Sequence, residues 1–366
     1  MQERGELDGA ERQQPSTDET TWSMPAIGEL DYIGAIVKRA LVLASIIIAI
    51  SLLAPGLLDQ LLEILSDADR LRDIRPGWFV LMAAAEIISF ACLWWLTRIL
   101  LPQASWFVAS TSQLTANSVS RVVPGGAAVG GATLYRMLAV SGISASEAGG
   151  ALAATSVLST AALFAMPATG ALIALFGSPI PEGLLPVAIV SPVLFVGLGM
   201  VGFIGLRYTR PLLIAGRQIK RAAGLVGRIF RKNWSIDPRD IVRERDRLVD
   251  VLGARWPQAM AASSLNWVFD YLVLVAALYS VNADPRLSLV LVAYASGAVL
   301  SMIPITPGGF GFVEVGLVAV LVISGIAFQD ATVAALAYRI VSFWLPVAIG
   351  PAAWLSFRRR YPRRTA

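Results

Sequence analysis

Two stretches of the chain place a proline and two glycines inside apolar territory: "SRVVPGGAAVGG" at Ser120–Gly131 and "ITPGGFGFVE" at Ile305–Glu314. Proline removes a helix N–H and clashes with the preceding turn, and glycine costs a helix about 1 kcal/mol relative to alanine. An unbroken helix is therefore a poor choice at both places. The surroundings also speak against soluble loops. The sequence is 56% hydrophobic and 15% charged, where a soluble domain carries roughly 25% charged residues, and its mean hydropathy is +0.66. A bilayer tolerates broken backbone only where protein buries it or water reaches it. The breaks thus predict two re-entrant helical hairpins, within Ser105–Ser141 and Ser288–Ser324, with tips at Pro124–Gly126 and Pro307–Gly309. The first arm of the earlier one, "SWFVASTSQLTANSVS", is too rich in polar groups to face lipid tails.

Apolar runs long enough to cross a membrane, about 20 residues of helix, begin near Ala40, Gly77, Gly149, Gly183, Pro257 and Ala331. The expected fold is an all-α integral membrane protein with about six transmembrane helices plus the two hairpins. Residues 1–32 are polar, show no periodicity and lack a signal-peptide pattern, so they read as a disordered tail. Residues 33–357 form the membrane domain, with repeat halves at about 77–177 and 257–356, and 358–366 are a basic tail. Lys38, Arg39, Arg98, the basic loop 207–256 and the final "RRRYPRR" all fall on one side if the chain starts inside and each hairpin returns to its own face. By the positive-inside rule that side is cytoplasmic, at the cell membrane, and both termini lie there. The same rule accounts for a pI near 9.6 without nucleic acid. Within the loop, Arg217, Lys220, Arg221, Arg228 and Arg231 fall opposite Ile219, Ala222, Val226 and Ile229. That pattern suits an amphipathic helix on an anionic inner leaflet, with a solvated loop as the alternative.

Sliding the sequence by 183 positions without a gap superposes Pro124-Gly125-Gly126 on Pro307-Gly308-Gly309 and Ser141-Gly142-Ile143 on Ser324-Gly325-Ile326. Glu147 meets Asp330 in the same register. With three spans between them, the hairpins enter from opposite faces. This is an inverted repeat, the plan of many alternating-access transporters, whose sites lie at the midplane where discontinuous helices meet. Duplication without transport is the alternative.

At each tip a new half-helix, starting near Ala127 and near Phe310, offers unpaired N–H groups and the positive end of its dipole. Arg121, three residues before Pro124, makes the first tip suited to a phosphate or another oxyanion. The candidate lipid- or anion-binding residues are Arg121, Pro124, Gly125, Gly126, Arg136, Pro307, Gly308, Gly309 and Arg339. Arg136 is expected near the cytoplasmic face, holding a headgroup or snorkelling. Glu86, Asp270 and Glu314 are intramembrane acids, each costing about 2.5–3.5 kcal/mol to insert at the bilayer centre. They serve either coupling or internal ion pairing, for example of Arg339 with Asp270 or Glu314. Trp94, Trp95, Trp106 and Tyr135 fit an interfacial belt, and "SASE" at Ser144–Glu147 has capping-box spacing.

The chain has no histidine and one cysteine, Cys92, so no metal site, cofactor or catalytic pair is expected. "GGAAVGGAT" lacks the lysine of a phosphate-binding loop, and "GFGFVE" lacks the third glycine of a dinucleotide fold.

"SRVVPGGAAVGGATLYRML", "PITPGGFGFVE" and "YRIVSFWLP" together resemble the membrane region of lysylphosphatidylglycerol synthases and its stand-alone, flippase-like relatives, over roughly Ile33 to Ser356. The resemblance implies a module that moves an anionic or aminoacylated phospholipid, or another lipid-linked phosphate, between leaflets. The synthases continue into an aminoacyl-transferase domain. This sequence ends at Ala366, so it is expected not to be an enzyme. The competing expectation is a non-transporting partner or scaffold of a lipid-linked glycosyltransferase or cell-envelope enzyme.

Overall fold

The structure, a computed structural model, describes residues 71–72, 74–123, 126–177, 252–301, 309 and 311–362, with scattered positions between 189 and 250. The expected tail at 1–32, the span near Ala40, most of the span near Gly183, the amphipathic stretch of the basic loop and residues 363–366 lie outside the described residues. The described elements are helical. They are α1 (Pro76–Leu100), α2 (Trp106–Val122), α3 (Gly126–Val140), α4 (Ala145–Gly177), α5 (Trp256–Ser280), α6 (Leu287–Ser301), α7 (Phe312–Ile323), α8 (Phe328–Arg339) and α9 (Leu345–Arg360). A five-residue π-turn, Ile340–Trp344, joins α8 to α9.

Four of these segments are long and apolar enough to cross a bilayer: Pro76–Leu100, Ala145–Gly170, Gly253–Ser280 and Phe328–Arg360. They correspond to four of the six expected spans. The hairpin arms are shorter, at 17, 15, 15 and 12 residues. At 1.5 Å per residue the longest reaches only about 26 Å, short of a hydrocarbon core about 30 Å thick. Each described arm is therefore a half-span.

Local chemistry sets these boundaries. Ser105 caps α2 by accepting a hydrogen bond from the Val108 N–H at 3.2 Å. Val123, which precedes Pro124, leaves the helix with φ −90° and ψ 135°, as a residue before proline must. At the first tip a Cβ on Gly126 would lie 2.6 Å from the Ser120 carbonyl oxygen, so the turn accepts only glycine. At the second, Gly309 and Gly311 both adopt left-handed φ, 72° and 83°, and α7 starts at Phe312 rather than near Phe310. The Ser144 capping box forms as expected, with Ser144 Oγ 2.6 Å from Glu147 Oε2 and the Glu147 N–H donating back to Ser144 Oγ.

The duplication is visible in the backbone. Ala145–Gly177 and the continuous Phe328–Arg360 differ by the same 183 positions at both ends. Gly142 and Gly325 share a φ of 94°. Each turn closes with the same pair of bonds: Gly142 N to Ala139 O and Ile143 N to Leu138 O in one, Gly325 N to Val322 O and Ile326 N to Leu321 O in the other. This is a Schellman stop, which glycine permits because it pays no Cβ penalty at positive φ.

Packing shows how the halves relate. Among the described helices the equivalent pair α1 and α5 forms the largest interface. Ser89 Oγ donates to the Asn266 carbonyl and Asn266 Nδ2 donates to the Ser89 carbonyl, at 2.9 and 3.0 Å. Arg255, at the start of α5, reaches the carbonyl of Ile99, at the end of α1. The two helices thus run antiparallel. A two-fold rotation that exchanges the halves must lie across the helices, so the halves are inverted, and its axis passes close to Glu86 and Asp270. Consistent with this, α2 packs on α9 of the other half and α6 packs on α4. Close glycine contacts seat both crossings: Gly350 against Ser118 and the Leu114 carbonyl, Gly170 against the Ser288 carbonyl. Small residues at such crossings let membrane helices approach without a hydrophobic driving force.

Candidate functional site

A cavity of about 280 Å³ lies between the halves, lined by residues of α2, α3, α5, α6, α7, α8 and the π-turn. Ala127, the second residue of α3, and Val313, the second residue of α7, both face it. The two half-helix starts therefore meet at one chamber.

Arg121 enters from the last turn of α2, where a cation is favoured by the helix dipole. Its Nε donates to Asn117 Oδ1 at 2.6 Å, one turn back. Its Nη1 donates to the Ser342 carbonyl. That carbonyl is available because its ordinary helical donor, four residues on, is Pro346, which has no N–H. The same device operates one turn further along: the Val347 carbonyl faces Pro351 and accepts from Ser118 Oγ at 3.2 Å. The two prolines of α9 thus release two carbonyls, and α2 takes both.

Arg339, at the end of α8, also lines the chamber. It is buried and pairs with Glu314, Nε to Oε1 at 2.6 Å. The other Glu314 oxygen accepts the Gly311 N–H at 2.7 Å, capping α7. The guanidinium groups of Arg121 and Arg339 lie over the same Phe343 ring, 5.2 and 4.5 Å from its centroid. Phe343 sits in the π-turn, an irregularity that recurs at functional sites, and it holds two like charges near one another.

Facing the arginines is Asp270. Its Oδ2 accepts the hydroxyls of Tyr294 and Tyr338, at 2.5 and 2.8 Å. Trp267, Tyr271 and Tyr338 pack edge-on or tilted around the Tyr294 ring, with centroids 5.7 to 6.4 Å away. Glu86 lies behind, buried, within electrostatic reach of Asp270 and Arg121. Its Oε2 has no hydrogen-bond partner among the described residues. The chamber therefore offers guanidinium groups on one side and a carboxylate in an aromatic wall on the other. Such a site can hold a phosphate by charge-assisted hydrogen bonds and an adjoining ammonium against Asp270 and the rings.

The structure gathers Arg121, Arg339, Asp270, Glu86 and Glu314 into this cluster, and Gly126 begins the half-helix beside it. Gly309 is buried at the second tip. Pro124, Gly125, Pro307 and Gly308 lie outside the described residues. Arg136 is not brought in; it lines a separate groove on the far face of α2. Of the two pairings considered for Arg339, Glu314 is the partner found. Sequence reasoning missed Tyr294, Tyr338, Trp267, Ser342 and Phe343. Three of these, Tyr338, Ser342 and Phe343, stand inside "YRIVSFWLP", where the sequence pairs an arginine with aromatics and a proline that breaks the hydrogen-bond ladder. Among the described residues no group of three or more His, Cys, Asp or Glu side chains is placed to hold a metal ion.

No curated protein matches the chain in sequence. The family model described as the lysylphosphatidylglycerol synthase TM region matches residues 41–350, most of the chain and every helix of the chamber. The chain belongs to the lysylphosphatidylglycerol synthase family through its membrane region, an integral membrane protein associated with phospholipids and linked to lipid modification or translocation.

Proposed function

We propose that the chain is a lipid translocase, which passes the headgroup of an anionic or aminoacylated phospholipid, or of another lipid-linked phosphate, through the central chamber while the acyl chains stay in the bilayer. The observation that carries this reading is a polar chamber at the inversion axis, lined from both halves and holding Arg121, Arg339 and Asp270 together. Its volume of about 280 Å³ is just below the roughly 300–1,000 Å³ of pockets that enclose drug-sized ligands, so it suits a headgroup and not a whole lipid. Inverted repeats with a midplane site are the plan of alternating-access transporters. On this reading the protein sits in the cell membrane with both termini cytoplasmic, its basic loop lies on the anionic inner leaflet, and the polypeptide performs no group transfer.

The test is leaflet-resolved translocation of phosphatidylglycerol and its lysyl ester in proteoliposomes. Arg121→Gln and Asp270→Asn are each expected to slow translocation at least ten-fold while the folded protein still inserts. Wild-type rates in both variants would overturn the site. A folded wild type that moves no lipid but co-purifies with an envelope glycosyltransferase would replace transport with the partner role.

A further inference from the structure

A second cavity, of about 570 Å³, lies between α2, α3 and α9. It is twice the size of the central chamber and differs in character. Its walls are mostly apolar, including Val119, Met137, Val140 and Phe357, and two guanidinium groups, those of Arg136 and Arg358, stand at its edge. Both arginines are exposed. No described carboxylate pairs with either of them. Arg358 lies over the ring of Trp354, 4.7 Å from the centroid, and Trp354 lines the same cavity.

Position strengthens the contrast. Arg136 stands ten residues beyond Gly126, about 15 Å along α3 from the tip. Arg358 begins the basic end of α9, where Arg360 lies over Phe107 at the start of α2. The groove thus runs from the level of the hairpin towards the end of the helices where cations and aromatic rings collect, the arrangement of a membrane–water interface. A roomy apolar groove beside lipid is filled by lipid, and two guanidinium groups at its edge, neither paired with a described carboxylate, select a negative headgroup.

We propose that this groove is a binding site for one anionic phospholipid, with its phosphate on Arg136 and Arg358 and an acyl chain along α2 and α9. The site does not depend on the transport reading: it binds lipid whether or not that lipid then crosses. It is nevertheless placed to supply the chamber. Ser118 and Val119 face the groove and Asn117, Ser120 and Arg121 face the chamber, so the single helix α2 is the partition between them.

Native mass spectrometry of the full chain, released from neutral detergent after titration with phosphatidylglycerol or phosphatidylcholine, tests the assignment. One phosphatidylglycerol is expected to be retained at least ten-fold more tightly than phosphatidylcholine. Arg136→Gln with Arg358→Gln should remove that preference, Arg136→Lys with Arg358→Lys should keep most of it, and Val140→Trp should hinder both lipids. Arg121→Gln should leave the groove's lipid in place. Equal retention of the two lipids, an unchanged preference in the double glutamine variant with its melting temperature preserved, or full displacement of phosphatidylglycerol by millimolar inorganic phosphate would each overturn the proposal. Lipid retention in the groove with translocation lost in Arg121→Gln, or the reverse, separates this site from the transport reading.

Discussion

Carried across by 183 positions, Gly142 lands on Gly325 with the same φ of 94°, yet Glu314 lands on Gly131, Arg339 on Ser156 and Tyr294 on Thr111. The two halves keep their turns and exchange their chemistry. In the first half, α2 is rich in hydroxyls, and many of these spend their donors on the helix itself: Thr111 on the Phe107 carbonyl, Ser112 on Val108, Thr115 on Thr111. Its charged contribution, Arg121, is held by an amide oxygen and a main-chain carbonyl. In the second half, α6 is apolar apart from a few polar side chains such as Tyr294, and the charges come as a tight carboxylate–guanidinium pair. The backbone plan positions the chamber, and each half then supplies its own part of the electrostatics. A site with one neutral-held and one carboxylate-held guanidinium can treat the two ends of a ligand differently.

Removing the paired carboxylate breaks this comparison most severely. Glu314→Ala removes the carboxylate that pairs with buried Arg339 and should cost about 3–5 kcal/mol, the range for one member of a buried ion pair. Replacing both residues with methionine should recover much of that loss, which unfolding in micelles would measure. A loss below about 1 kcal/mol in the single variant would mean that the second half is held as loosely as the first. The next effect is at the crossings. Gly350→Ala drives a methyl into Ser118 with the Leu114 carbonyl 3.3 Å away, whereas Gly170→Ala meets the Ser288 carbonyl at 3.0 Å. Overpacking costs about 1–3 kcal/mol, and the Gly350 variant should lie at the upper end and lose more than its counterpart. The smallest test sharpens the likeness. Gly142→Ala and Gly325→Ala should each cost about 1–2 kcal/mol, equal within about 0.5 kcal/mol and additive. Unequal costs would show that the shared turns carry different loads.

The architecture was largely legible because it depends on composition and on proline and glycine. Apolar run lengths marked the four described spans, the PGG stretches marked where the arms end, and the gapless register exposed the duplication before any helix was seen to pack. The membrane charges were legible as a set, since Glu86, Arg121, Asp270, Glu314 and Arg339 stand out against an apolar background. Their partners were not. That Arg339 takes Glu314, and that Asp270 is held by two tyrosine hydroxyls, depends on which helix faces meet across a gap of 24 to 68 residues. Periodicity fixes a face but not its neighbour. The carbonyls released by Pro346 and Pro351 could have been counted from sequence, yet their acceptance of donors from α2 could not, because that contact joins residues 221 and 229 positions apart.

Glu86 and Asp270 lie close to the line about which one half turns into the other. When two inverted halves trade shapes, material far from that line swings and material on it stays, as at the fulcrum of a balance. If the halves rock in this way, reporters at Gly142 and Gly325 would move in opposite senses while one beside Glu86 would stay nearly still, so Glu86 and Asp270 stand where that motion would disturb them least.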